Sequence, residues 1–381
     1  MSARQSFRIE GEFAMHRGGR LRDPVVAYET WGRLDRGRDN AVLVFPGMSP
    51  SAHAAASPDD PAPGWWEGMI GPGLPLDTTR YFVICINSLG SCFGSTGPAS
   101  TDPATGRPYA SAFPVLSLED VANSAWALVR SLGIRQLDTV VGPSMGGMSA
   151  LALLLQHPGA SRRLVSISSA MRAEPFAIGL RSLQREMVRR DPEWRGGRYE
   201  PGRGPLRGMR LARKLGMITY RSAEEWRQRF GRERVSGERA TGDPFGVEFE
   251  VEAYLEAHAR KFIGEFDANA YLYLSRAMDL FDVADHGGSV AAAMARTGLQ
   301  RALVLGVETD LLFPLHQQRE LADALDAGGC EVEFQALPCL QGHDAFLVDM
   351  DRLRPPVAAF LDARAAAGTR LRRIHSPAHG A

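Results

Sequence analysis

Short, β-branched apolar runs bounded by turn residues recur along the chain: AVLVFPG (41–47), YFVICIN (81–87), LDTVVG (137–142), RLVSISS (163–169), ALVLG (302–306) and EVEFQAL (331–337). Runs of this kind suit strands covered on both faces. Between several of them the pattern becomes helical. SLEDVANSAWALVRSLG (117–133) opens on a Ser-x-x-Asp cap, and HQQRELADALDAGG (316–329) ends in glycine. Upstream, residues 6–14 and 24–31 read as two strands around a Gly-Gly turn, an antiparallel start. Alternating strands and helices predict an α/β fold with a mainly parallel sheet.

The alternation stops between about 172 and 286. Helix-like stretches follow one another at 177–190, 207–220, 222–231, 248–266 and 268–281, with no strand run among them. This predicts a helical lid, 172–286, inserted into a core formed by 1–171 and 287–365. A tail, 366–381, is expected to be disordered. The chain shows no internal repeat.

Candidate chemistry lies at the end of one run. In TVVGPSMGGMSALALLL (139–155), Gly142-Pro143-Ser144-Met145-Gly146 fits G-x-S-x-G with a strand before it and a helix after it. A tight strand-to-helix turn brings backbones together, which requires the glycines, and pushes the serine oxygen into the open. The bare pattern also describes an ordinary Gly-Ser turn, so its partners matter. Folds of this type order them as serine, acid, histidine, the last two after late strands. Asp310 follows the run 302–306, and His343 lies in a glycine-containing loop after 331–337; the other eight of the nine histidines do not match that position. An oxyanion hole is completed by the N–H of the residue after the nucleophile, Met145, and one from the loop after an early strand, for which VFPGMSPSAH (44–53) offers Met48. These residues point to acyl transfer through Ser144. They do not say whether water or another acceptor takes the acyl group.

Bulk properties narrow the setting. With 44 basic and 44 acidic side chains the formal charge is zero, against the basic surplus that nucleic acid or an anionic membrane requires. The four cysteines have no paired spacing. The beginning, MSARQSFRIEGEFAMHRGGR, lacks an apolar signal core, and no stretch reaches the roughly 18 apolar residues of a membrane span. A cytoplasmic protein is the expectation.

Longer stretches are more specific. GWWEGMIGPGLPLDTTRYFVICINSLGSCFGSTGPAS (64–100), SMGGM (144–148), MITYRS (217–222), FEVEAYLEAHARKF (249–262), YLYLSRAMD (271–279) and GHDAFLVD (342–349) resemble the homoserine O-acyltransferase family of the α/β-hydrolase fold, and the likeness runs from about 10 to 362. The resemblance implies an acyl-CoA co-substrate, no cofactor, no metal, a helical lid and a homodimer formed through it. It implies that Arg213, just before the ITY motif, binds the carboxylate of an amino-acid acceptor, and that Asp344 binds its ammonium. Both are chemically reasonable. Without the family, Arg213 is one arginine among many.

Within the family, homoserine acetyltransferases typically carry an ALTGD-like loop, an NVLGGC motif and an uncharged residue at the position matching Arg181. This chain has GMSPS (47–51), NSLGSC (87–92) and Arg181. That combination is similar to the serine O-succinyltransferase branch. It implies that Arg181 pairs with the distal carboxylate of a succinyl donor, and that Gly47, Met48, Ser49 and Pro50 select the acceptor. The expected substrates are succinyl-CoA and L-serine, with homoserine acylation as the alternative. By its residue type alone, Arg181 also suits a solvated lid position.

Overall fold

The computed structural model describes residues 3–200, 202–236 and 243–363. Its centre is an eight-stranded sheet: β1 (Gln5–Arg8), β2 (Val25–Trp31), β3 (Ala41–Val44), β4 (Phe82–Ile86), β5 (Leu137–Pro143), β6 (Ser161–Ile167), β7 (Arg301–Val307) and β8 (Glu331–Leu337). In space they run β1-β2-β4-β3-β5-β6-β7-β8. The first two strands are antiparallel to their neighbours, and the six from β4 to β8 run parallel. This is the expected α/β architecture.

Each inner strand sends alternate side chains to opposite faces. Leu43, Ile84, Val140, Leu164 and Val304 join one buried cluster, while Val42, Val44, Val83, Val141, Val165 and Leu303 join another. Helices α1 (Leu118–Ser131) and α2 (Met145–Gln156) cover the first face; the last helix of the chain, described below, covers the second. The anticipated cap on α1 is present: Ser117 N–H and its hydroxyl both donate to Asp120 Oδ2.

Among the described residues of the segment 172–286, five α-helices follow β6: α3 (Pro175–Arg189), α4 (Leu206–Tyr220), α5 (Ala223–Phe230), α6 (Glu250–Phe262) and α7 (Ala268–Leu280). They correspond, within a few residues, to the five helical stretches of the sequence. After them come α8 (Val290–Ala295), α9 (Leu315–Ala327), α10 (Ala345–Val348) and α11 (Met350–Asp362). Helix α11 lays Leu353, Val357 and Phe360 on the second face of the sheet.

Two differences from the sequence reading are instructive. The stretch 6–14 is not one strand: β1 joins the main sheet, while Glu12–Ala14 pairs with Arg20–Arg22 in a separate hairpin. The break comes where Gly11 and Asp23 bond to each other, Gly11 N–H to Asp23 Oδ1 at 2.6 Å and Asp23 N–H to Gly11 O at 2.8 Å. Helix α11 has no counterpart among the helical stretches of the sequence reading, and it carries Pro355-Pro356 in its middle. The predicted tail, 366–381, lies outside the described residues.

Because β3 to β8 run in parallel, the loops after β3, β5, β7 and β8 all emerge at one edge of the sheet. Open α/β sheets place their ligands at this edge. It gathers Met48, Ser144, Asp310 and His343.

Candidate active site

Ser144 sits between β5 and α2 with φ 56° and ψ −127°, a conformation that costs an L-residue about 1–3 kcal/mol. Close packing imposes it. A Cβ on Gly142 would stand 2.2 Å from the carbonyl carbon of Gly146, and one on Gly146 would stand 2.1 Å from the carbonyl oxygen of Phe45. No side chain fits at either position, so the glycines of G-x-S-x-G are a steric requirement here. Ser144 N–H is tied to Ile167 O at 2.9 Å, which holds the turn against the next strand.

The three predicted partners meet. His343 Nε2 is 2.8 Å from Ser144 Oγ, and His343 Nδ1 is 2.7 Å from Asp310 Oδ2. An ionised carboxylate only accepts, so Nδ1 carries the proton and Nε2 accepts from the serine hydroxyl. Asp310 is fixed in turn: its Oδ1 accepts from Leu312 N–H at 2.8 Å and Phe313 N–H at 3.0 Å. The acid and histidine loops are tied together, since Thr309 Oγ1 donates to Cys339 O at 2.7 Å and accepts from Gly342 N–H at 3.1 Å.

The imidazole lies among aromatic rings. Phe313 stacks on it at 5.2 Å, and Phe346 meets it edge-on at 5.6 Å. Burial works against its protonated form, but the charge and hydrogen bond of Asp310, with the charge of Asp344, outweigh that and raise its pKa; Arg181 opposes them. Met145 is the first residue of α2, so its N–H has no partner within the helix, and the positive end of the helix dipole lies beside Ser144.

A cavity opens over Ser144, and most of the predicted residues line it. Gly47, Met48, Ser49 and Pro50 from the loop after β3, Arg181 of α3, Arg213 of α4, and His343 and Asp344 from the loop after β8 line it together with Ser144. Asp310 and Met145 stand behind this lining, both buried. Arg181 is no solvated lid residue: its exposure is 6%. Its Nε donates to Asp279 Oδ1 at 2.6 Å, and its buried Nη2 has no hydrogen-bond partner. Arg213 lies over the Phe262 ring at 4.5 Å, and no carboxylate among the described residues pairs with it. Its Nε also lacks a partner. Asp344 is already engaged on one side, accepting from Arg221 Nε at 2.9 Å on Oδ2.

Other lining residues were not singled out from the sequence. Tyr271, Ser275 and Met278 share one face of α7 at helical spacing, and Tyr220 ends α4 beside His343. The stretch YLYLSRAMD held that spacing, but spacing alone cannot tell a cavity wall from core. Burial raises the pKa of both tyrosines, so both hydroxyls stay protonated at neutral pH.

A strained serine at a strand-to-helix turn, an Asp–His pair behind it and a lid over the strand ends define a serine-nucleophile enzyme of α/β-hydrolase type. The chain matches the model of the alpha/beta hydrolase fold over residues 40–348. It is 58% identical over 360 residues to a serine O-succinyltransferase of Litchfieldella anticariensis, covering 94% of this chain and 98% of that one. It is 60% identical over 354 residues to an L-serine/homoserine O-acetyltransferase of Streptomyces lavendulae, covering 92% and 94%. Its structure superposes on that of homoserine O-acetyltransferase from Bacillus anthracis with a TM-score of 0.87 at 28% identity, over 95% of this chain and 98% of the other. The chain belongs to the homoserine O-acyltransferase family of the α/β-hydrolase fold, and it is an acyltransferase.

Proposed function

We propose that this chain is a serine O-succinyltransferase, which moves the succinyl group of succinyl-CoA to the hydroxyl of L-serine. Relatives of similar identity carry names with different donors, so the choice rests on Arg181. Arg181 lines the cavity that holds Ser144, and its buried guanidinium retains a donor without a partner. A succinyl group carries a distal carboxylate to meet that donor, and an acetyl group does not. A charge-assisted hydrogen bond of this type contributes about 1.5–3 kcal/mol.

In the first half-reaction His343 Nε2 takes the Ser144 proton as Oγ attacks the thioester carbon. Backbone N–H groups of Met48 and Met145 hold the oxyanion. The C–S bond breaks, and coenzyme A leaves with the proton from His343. In the second half-reaction L-serine binds with its carboxylate at Arg213 and its ammonium at the open side of Asp344. His343 removes its hydroxyl proton, the oxygen attacks the ester carbon, and the bond to Ser144 Oγ breaks as the proton returns. The product, O-succinyl-L-serine, is an activated ester suited to cysteine synthesis. Gly47, Met48, Ser49 and Pro50 close the acceptor side.

The test is a matrix of serine and homoserine against succinyl-CoA and acetyl-CoA, with products read by mass spectrometry. The serine and succinyl-CoA pair is expected to have the highest kcat/KM, with parallel initial-rate lines. Preference for acetyl-CoA overturns the donor assignment, preference for homoserine the acceptor assignment, and intersecting lines the acyl-enzyme.

A homodimer through the lid accompanies this reading. Phe176 and Leu183 on α3, and Leu211 and Ile218 on α4, expose apolar side chains seven residues apart, an outward stripe on helices that already bury another face. Sedimentation is expected to give twice the chain mass of 41.5 kDa; a monomer at micromolar concentration removes the proposal. A cytoplasmic location is likewise proposed. Among the described residues no helix is long and apolar enough to cross a membrane, and fractionation of producing cells tests the location.

A further inference from the structure

Helix α7 carries one carboxylate facing two arginines of α3. Asp279 has a side-chain exposure of only 1%. Its Oδ1 accepts from Arg181 Nε at 2.6 Å, and its Oδ2 stands 2.7 Å from Arg185 Nη2, an ion pair outside hydrogen-bond geometry. Arg185 is anchored separately, Nη1 donating to Ser275 Oγ at 2.9 Å. Two guanidiniums thus share one carboxylate, and the cluster keeps one net positive charge at the wall of the cavity. The surplus has a direction. Asp279 takes the Nε edge of Arg181 and leaves Nη2 buried and unpartnered. Arg185 does not line the cavity, whereas Arg181 does.

We propose that Asp279 is a positioning residue for the acyl donor: it clamps the Nε side of Arg181 so that Nη2 is presented to a single distal carboxylate on the acyl chain. The inference rests on the reading of Arg181 as the group that meets that carboxylate. The arrangement selects by charge and by place. One surplus positive charge matches one negative charge on the acyl tail, and a guanidinium held along one edge has its remaining donors aimed before the donor arrives. Preorganised donors lose less freedom on binding. A neutral acyl chain gains nothing from the cluster and leaves a buried donor unsatisfied.

The experiment compares kcat/KM for succinyl-CoA and acetyl-CoA in the full-length enzyme and in Arg181→Asn, Asp279→Asn and Asp279→Glu. In a ping-pong scheme kcat/KM for the donor reports only the acylation half-reaction, so defects in serine binding do not enter. Asp279→Asn is expected to lower the succinyl-to-acetyl ratio by about tenfold or more, mainly through KM for succinyl-CoA. Asp279→Glu, which keeps the charge, is expected to restore part of the ratio. If Asp279→Asn does not fold, the pair Asp279→Asn with Arg185→Gln, which keeps the net charge of the cluster, carries the same test and the same expected loss.

An unchanged ratio in the Asp279 variants, with a collapsed ratio in Arg181→Asn, reduces Asp279 to packing and overturns the proposal. A ratio that rises shows that Asp279 competes with the donor for Arg181, and overturns it as well. An unchanged ratio in Arg181→Asn removes the underlying reading of Arg181, whatever the Asp279 variants do.

Discussion

At the strand ends, the polar atoms of the candidate catalytic groups are answered by the chain itself. Ser144 has His343, His343 has Asp310, and Asp310 has two backbone amides. In the lid, Arg181 and Arg213 each retain a nitrogen without a partner. The two regions face one cavity on opposite terms. A reaction centre must hold its geometry before substrate arrives, so its hydrogen bonds are closed within the protein. A surface proposed for recognition gains on binding where its unpartnered donors meet groups of the substrate. This division places the candidate reacting groups on the loops of the sheet and the two arginines proposed to meet substrate carboxylates on the lid.

The largest test of that division is Asp310→Asn. The amide cannot hold His343 in the tautomer that accepts from Ser144, and kcat is expected to fall by about 10⁴-fold, as when the acid of a comparable triad is changed to its amide. The preference between succinyl and acetyl donors is expected to stay close to that of the wild type, because Arg181 is untouched. If the preference collapses together with kcat, chemistry and selection are not separate, and the comparison fails.

A smaller effect is expected in the lid. Arg213→Gln removes the charge proposed to meet the serine carboxylate, and kcat/KM for serine is expected to fall by about 10- to 150-fold, the worth of one hydrogen bond to a charged group. With the acceptor held less firmly, more succinyl leaves Ser144 as free succinate, measured by mass spectrometry beside the transfer product. A fall in donor kcat/KM of similar size would place Arg213 in the first half-reaction and blur the two roles.

The same division explains what was legible in the sequence. The elbow around Ser144 is a local object: Gly142 and Gly146 are four residues apart, and their crowding follows from the turn. Asp310 and His343 each follow a recognisable apolar run, and parallel strands bring those ends to one edge. The lid helices were legible as helices, because amphipathic spacing is local too. Their partnerships were not. Asp279 meets Arg181 across 98 positions, and Arg221 meets Asp344 across 123. Nothing in the composition of α3 marks Arg181 as the arginine that is buried. Arg181 and Arg213 were reached through the family resemblance, whereas the clamp on Arg181 appears only when α3 and α7 are packed together.

The finest test lies where the two regions touch. Asp344 follows His343, accepts from Arg221 of the segment after α4, and adds its charge to that of Asp310 in raising the pKa of His343. His343 acts as base only when neutral, so kcat/KM rises with pH as it loses its proton, and the midpoint of that limb is expected above the ordinary histidine value of about 6.5. In Asp344→Asn one of the negative charges favouring the protonated form is gone. The folded pKa falls, the neutral form persists to lower pH, and the acid limb is expected to move to lower pH, while KM for serine rises because the ammonium has lost its partner. Arg181→Asn is expected to move the limb the opposite way, since the charge of Arg181 depresses the same pKa. The profile is measured as donor kcat/KM against pH, so that serine binding does not enter. If the limb stays in place in Asp344→Asn while KM for serine rises, Asp344 belongs only to recognition. If it moves while KM for serine holds, Asp344 belongs to the reaction centre, and the boundary between the two regions runs on the lid side of it.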